Sequence, residues 1–484
     1  MRKKLISALL AGTIASSVSA GPLTDALAAT IGGGELGWDV GLEEAGREVL
    51  EAPHIRLNDG SRFAAARADL GIADGQFQVI ATDLKVRRSG TLGQLSADRA
   101  VFSGHAGYLP HLWGAKARLP ACDLAGPAGG LRFEGVSGLV GDPAADGATR
   151  FAADSLELTA QILPAAGGCR LALVVHAAGL EVGEQRQGGV RSEELSLSLE
   201  LPATLDTLRA GPTERVSLHL EGRELAATRP GGGASWSLTE GTMAGDFIAA
   251  SLVPVMLAYL RHGDLTAAGA MEIWNGLDDA VGTIQIAGDG VIRTANVLPA
   301  RYAAPVLDAG LSNLLFRGEA EIGLTSGRFV ATAQMDTTGV ARSEVDAEGW
   351  LSAYPEGVIA RQADGGARFD RLPAIGIDRL DLLQTDQGLL AAASRLLGVP
   401  VTVWLQDVAD RAAGGDPMAE AIMRDISAEV ARFAAGSYTS PPAKLSLGIG
   451  QGLDLREAFV VSSRLPQELP QIFILHSSTA EGGE

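Results

Sequence analysis

Few residues in this chain stand in chemically useful arrangements. His105 and His111 frame the segment HAGYLPH, where Tyr108 and Pro110 suit a turn that brings both imidazoles to one side. Two imidazoles begin a metal site, and Asp98 or Asp123 would have to fold in as a third ligand. With no evident third ligand the pair reads as turn composition, so neither a metal nor a cofactor is expected. His176 and His219 sit inside alternating stretches and read as ordinary strand residues. Asp278-Asp279 could act as glycosidase carboxylates on paper, but 58 acidic residues make such neighbours common. Asn275-Gly276 and Asp289-Gly290 read as turns. The Gly-x-Ser-x-Gly elbow, the phosphate-binding loop and the His-Glu-x-x-His zinc motif are all missing. No enzyme is expected on these grounds, and no catalytic residue is named.

The amino terminus says where such a chain goes. Arg2, Lys3 and Lys4 precede a short apolar run over residues 5–15, and Val18-Ser19-Ala20 supplies small residues for cleavage. This pattern is a secretory leader over residues 1–20, with Ala26-Leu27-Ala28 as a second cleavage candidate. The run is too short to span a bilayer. The longest later apolar stretch, residues 247–260, is interrupted by Pro254 and suits a buried helix. An exported chain with no transmembrane span after processing is therefore expected, in the periplasm. Two cysteines in an oxidising compartment favour a Cys122–Cys169 disulfide. It would close a loop of about 48 residues, worth roughly 4 kcal/mol by chain entropy. The net charge of −19 repels phosphate backbones and anionic headgroups, so nucleic acid is excluded as a partner.

Any binding chemistry must then come from the elements themselves. In RSEELSLSLELP, Leu195, Leu197, Leu199 and Leu201 alternate with polar residues, and further on Val216, Leu218 and Leu220 do the same. Strict alternation marks strands with one apolar and one polar face. Similar runs punctuated by Gly and Asp-Pro turns fill residues 31–240, and no helical period intervenes. Residues 21–246 are thus expected to be a β-rich region. Residues 247–477 read as α+β, with helices at 251–261, 303–316, 386–397, 400–412 and 416–435. Alternating segments are expected at 267–274, 319–324 and 444–449, and residues 478–484 as a loose tail. Helix–Gly–strand junctions at Gly263, Gly318 and Gly436 hint at a duplication. The fold expected is mainly β with α, built on extended, twisted antiparallel sheet that can curve into a groove, with helices concentrated in the C-terminal half.

A resemblance adds to this. LDLLQTDQGLLAAASRLLGVPVTVWLQDVADRA and ISAEVARFAAGSYTSPPAKLSLGI, within about residues 376–450, resemble the strand, helix and glycine-break order of AsmA-like envelope proteins of Gram-negative bacteria. The resemblance implies an elongated β-rich periplasmic protein that carries lipid along an apolar groove. It brings no catalytic residues. AsmA-like proteins usually keep an N-terminal anchor, which this leader pattern lacks. The leading expectation is a hydrophobic ligand, a lipid, on the face lined by Leu195, Leu197, Leu199, Leu201, Val216, Leu218 and Leu220. The alternatives are an envelope assembly protein with a closed core and a protein partner, and a hydrolase of envelope polysaccharide.

Overall fold

A computed structural model describes residues 21–30, 34–44, 46–57, 60–73, 76–87, 93–105, 126–140, 149–165, 168–184, 188–202, 214–228, 234–255, 267–297, 303–351, 353–354, 375–412, 417–436, 444–449, 453–454 and 473–478. The chain forms two compact units, Met1–Thr204 and Leu205–Glu484. The composition change at residue 247 falls inside the second unit, because the strand ending at Ile248 is already part of that unit's sheet.

Unit 1 begins with helix α1 (Pro22–Thr30), followed by short strands β1 (Glu35–Gly37), β2 (Val40–Glu44), β3 (Arg47–Glu51), β4 (His54–Arg56), β5 (Arg62–Ala64) and β6 (Arg67–Ala73). Long strands follow: β7 (Gln76–Arg87), β8 (Gln94–His105), β9 (Gly126–Val140), β10 (Thr149–Ala165), β11 (Gly168–Glu184) and β12 (Gly188–Pro202). From β6 to β12 each strand pairs antiparallel with the next, as a meander. β6 continues through β3 to β2, while the far half of β7 pairs with β5, which leads through β4 to β1. The sheet therefore divides at β7.

Register makes one face of this sheet continuously apolar. Residues directly opposite each other share a face. Leu70, Val79, Phe102, Leu131, Leu158, Val175 and Leu197 form one such rung across the sheet. The neighbouring rung on the other face runs through Asp69, Ile80, Val101, Arg132, Glu157, His176 and Ser196, polar but for Ile80 and Val101. Cross-strand and i,i+2 ion pairs lace that polar side, among them Arg132 to Glu134 and Arg99 to Glu134. Arg67 Nε donates to Asp69 Oδ1 at 2.9 Å, which with the Asp69 charge holds the guanidinium pKa above its ordinary value.

The alternation slips by one residue midway along each long strand. Ala81 and Leu84, Ala97 and Ala100, Phe133 and Val136, Ala153 and Leu156, and Ala177 and Leu180 are successive members of the apolar side. At the slip, alternate strands carry a left-handed residue: Asp83 at φ 52°, Gly135 at φ 60° and Gly179 at φ 61°. The carboxylates of Asp98 and Asp154 fold over Gly135 and Gly179, each with an oxygen within about 2.3 Å of where a Cβ would sit. A line of kinks thus creases the sheet and rotates both halves of each strand onto one apolar surface.

Unit 2 is a second antiparallel meander. It comprises β13 (Arg215–Thr228), β14 (Ala234–Ile248), β15 (Val281–Arg293), β16 (Asn313–Thr325), β17 (Arg328–Thr337), β18 (Ala341–Leu351), β19 (Ile375–Asp386) and β20 (Lys444–Ile449), with β21 (Leu453–Asp454) pairing with β19 and β22 (Phe473–Ser478) with β20. Its helices are α2 (Ala267–Gly276), α3 (Thr294–Val297), α4 (Ala303–Asp308), α5 (Leu389–Leu397), α6 (Val401–Ala412) and α7 (Pro417–Gly436). α7 packs on β20 and β22. The molecule is mainly β and antiparallel, and among the described residues its helices lie in the C-terminal part apart from α1.

Several local expectations need correcting. Residues 267–274, read as alternating strand, are helix α2: Ala267, Ala268 and Ala270 are strong helix formers, and Met271 and Trp274, one turn apart, pack with Tyr354. The helix read over 303–316 ends at Asp308, since Gly310 at φ 75° breaks it and β16 starts at Asn313. Gly318 lies inside β16 and ends no helix, so the proposed recurrence loses its middle member, while Gly263 lies outside the described residues. Asp289-Gly290, read as a turn, is mid-strand in β15. Asn275-Gly276, read as a turn, closes α2, and Asn275 exchanges hydrogen bonds with the Tyr354 backbone, donating from Nδ2 at 3.0 Å and accepting at Oδ1 at 2.7 Å. The helices read at 386–397, 400–412 and 416–435 form as α5, α6 and α7. Most of residues 251–261 lies outside the described residues.

Candidate functional site: an apolar trough in unit 1

The apolar face of unit 1 opens into a hollow near its amino-terminal end. The hollow holds about 300 Å³. Its floor is Phe77, Val79, Ala81, Phe102, Leu131, Leu158 and Ala160, and its walls include Leu36 from β1, Ile55 from β4, Phe63 from β5 and Leu27 from α1. Among its lining residues only Ser103 has a polar side chain. Small residues make the space. In one rung Phe77 is opposite Gly104, Gly104 opposite Gly129, and Gly129 opposite Ala160. Three small residues in a row leave a gap that large neighbours frame. Phe102 and Phe133 meet edge-on beside it, with ring centroids 6.3 Å apart, and hold its rim.

One end of the trough is a packed cluster of Leu50, Ala68, Leu70 and Phe77, on which Leu23, Leu27 and Trp38 rest. α1 supplies the two leucines. A helix of nine residues is too short to persist alone in water, so its contacts hold it. The buried Glu48 caps its amino terminus. Glu48 Oε1 accepts from the Leu23 N–H, and Oε2 accepts from both the Thr24 N–H and the Thr24 hydroxyl, all at 2.7 Å. A carboxylate there satisfies otherwise unpaired donors and faces the positive end of the helix dipole. Gly21, at φ 156°, lies so close to Glu48 that a Cβ would fall 2.3 Å from Oε1.

Unit 2 carries a hollow of opposite character, about 380 Å³, on its polar face. Glu240, Asp289, Arg317 and Asp336 form one wall rung, and Thr242, Ala287, Glu319 and Gln334 another, with Gly241, Gly288 and Gly318 between.

The residues expected to line a ligand face are split between these units. Leu195, Leu197, Leu199 and Leu201 lie in β12 and are half-buried. Register places Leu197 and Leu199 on the rungs of Leu158 and Ala160, so they share the trough's sheet face without lining the trough. Leu201 packs with Ile162, Cys169 and Leu171. Val216 is buried and Leu218 and Leu220 half-buried in β13 of unit 2. The trough's own residues escaped the sequence reading, although the alternation of Phe77, Val79 and Ala81 was visible. Cys169 is disulfide-bonded, whereas Cys122 lies outside the described residues. His105 ends β8, and His111 and Asp123 lie outside the described residues. Asp98 is turned onto Gly135. His176 and His219 are strand residues. Among the described residues no group of His, Cys, Asp or Glu is arranged to hold a metal. No single helix among them is long and apolar enough to cross a membrane; α5 and α6 together reach that composition but are bent by 60°.

Comparison with family models, curated proteins and solved structures finds no match to this chain.

Proposed function

We propose that this chain is an exported, periplasmic protein that holds or carries a hydrophobic ligand, the acyl chain of a lipid, in the trough of unit 1. The observation that carries the reading is a hollow of about 300 Å³ whose lining side chains, Ser103 apart, are all apolar. Water in such a space makes few hydrogen bonds, and a hydrocarbon chain gains its full transfer energy there, about 0.8 kcal/mol per buried methylene. Concave apolar hollows of this size are ordinary ligand sites. The leader-like amino terminus and the AsmA-like order of elements over residues 376–450 support the compartment and the lipid class.

The test is mild purification from an envelope extract, followed by native mass spectrometry and lipid extraction. Bound lipid is expected in the wild-type protein and is expected to be lost in Ala160→Trp, which fills the half-exposed floor. Lipid-free wild-type protein, or equal lipid on both, would overturn the reading. A second reading, assembly with an envelope protein, is favoured by strand β2. Its Val40 and Leu42 are 46% and 45% exposed, and among the described residues it pairs only with β3. An open edge of this kind accepts a strand from another chain. A stoichiometric protein partner in pull-down, without lipid, would support that instead.

A further inference from the structure

The cover of the trough differs in kind from its floor. The floor is sheet, hydrogen-bonded strand to strand across β7, β8, β9 and β10. Its α1 wall is a single nine-residue helix that touches the sheet through Leu23 and Leu27 and makes no strand pairing. What fixes its amino end is one side chain, Glu48, which gathers three donors from two consecutive residues. We propose that α1 is a movable lid of the trough and that Glu48 is its latch. The inference rests on the trough being the ligand site.

The physical argument is one of unequal cost. Opening the floor breaks a ladder of backbone hydrogen bonds. Lifting α1 breaks the Glu48 contacts and uncovers two leucines, and it lets the helix fray, since a segment this short is helical only while docked. Local openings of this sort lie at the low end of a protein's stability spectrum. The entering chain covers the same apolar surface that Leu27 leaves, so ligand and lid exchange like contacts. Thr24 is fully buried and its hydroxyl is held by Glu48, which places the latch beneath the helix, out of solvent. Gly21 is fitted to the same carboxylate: no side chain is accommodated there without moving Glu48.

The experiment is stopped-flow binding of fluorophore-labelled dodecanoic acid to the wild-type protein and to Glu48→Ala, Thr24→Val and Leu27→Ala. Glu48→Ala is expected to raise association and dissociation rates together by about five- to tenfold, the usual scale of a lost cap, with Kd moved less than about threefold. Thr24→Val, which removes one of the three donors, should act in the same direction and less. It carries the test if Glu48→Ala fails to fold. Leu27→Ala should weaken Kd, because Leu27 lines the trough. Unchanged rates in Glu48→Ala and Thr24→Val, or a weaker Kd at an unchanged association rate, would overturn the lid and leave the trough standing. A wild-type protein that does not take up the probe would remove both readings.

Discussion

The two hollows occupy similar volumes, yet they are made differently and their chemistry is opposite. In unit 1 the small residues Gly104, Gly129 and Ala160 stand in one rung of an apolar face. In unit 2 the rung of Gly241, Gly288 and Gly318 belongs to the other face, and the concavity lies on the side where Glu240, Asp289, Arg317 and Asp336 project. In unit 1 missing side chains across adjacent strands make the space, whereas in unit 2 the hollow lies between two rungs of projecting polar side chains. The polar hollow is solvated and laced with charge, so water satisfies it. The apolar one has nothing to offer water, and on that asymmetry rests the proposal that it is the hollow a ligand fills.

The largest expected effect separates the two hollows by stability. Phe77 is 3% exposed and belongs both to the trough floor and to the cluster with Leu50 and Leu70. Phe77→Ala should cost about 3–5 kcal/mol, read as a lowered denaturant midpoint. Arg317 is exposed on the wall of the polar hollow, and Arg317→Ala should stay within about 0.5 kcal/mol of wild type. Equal losses from both would mean that the two hollows are structural in the same sense, and the contrast would fail.

What the sequence revealed follows from the range of each interaction. The alternation of Leu195 to Leu201 is local, and β12 forms with those leucines on one face. The phase slip is local too: FAADSLELTAQI steps from Phe151 and Ala153 to Leu156 and Leu158, with the slip at Asp154-Ser155. It could have been found by counting. The trough could not. It exists because Gly104, Gly129 and Ala160 fall opposite one another, and register between distant strands has no signature within any one of them. α1 was hidden differently, since its Ala26-Leu27-Ala28 is also what a leader peptidase would cut, and only Glu48, far along the chain, reveals it as a docked helix.

The crease gives the next contrast, within unit 1. Gly135 and Gly46 both have left-handed backbones, at φ 60° and φ 77°. A side chain at Gly46 meets nothing within 4 Å, whereas one at Gly135 strikes the Asp98 carboxylate. Gly46→Ala should therefore cost about 1 kcal/mol, the backbone term alone. Gly135→Ala should cost about 2–3 kcal/mol, because Asp98 must also swing away. Matching thermal shifts for the two would show that the carboxylate is no part of the kink. Gly135→Ala with Asp98→Ala should recover the difference, and that double substitution isolates the clash from the backbone strain.

The smallest effect concerns how far the proposed ligand site extends along the apolar face. Leu197 shares the rung of Leu158 but lies two strands beyond it in β12, half-buried and outside the trough. Its truncation removes part of one leucine's burial and leaves no closed cavity, because water can enter beside it. Leu197→Ala should cost about 1 kcal/mol in stability and leave the affinity for labelled dodecanoic acid within about twofold. A larger loss of affinity, with the same small change in stability, would extend the bound chain across β11 to β12. Unit 1 would then act as a continuous apolar track, and the trough would be its closed end.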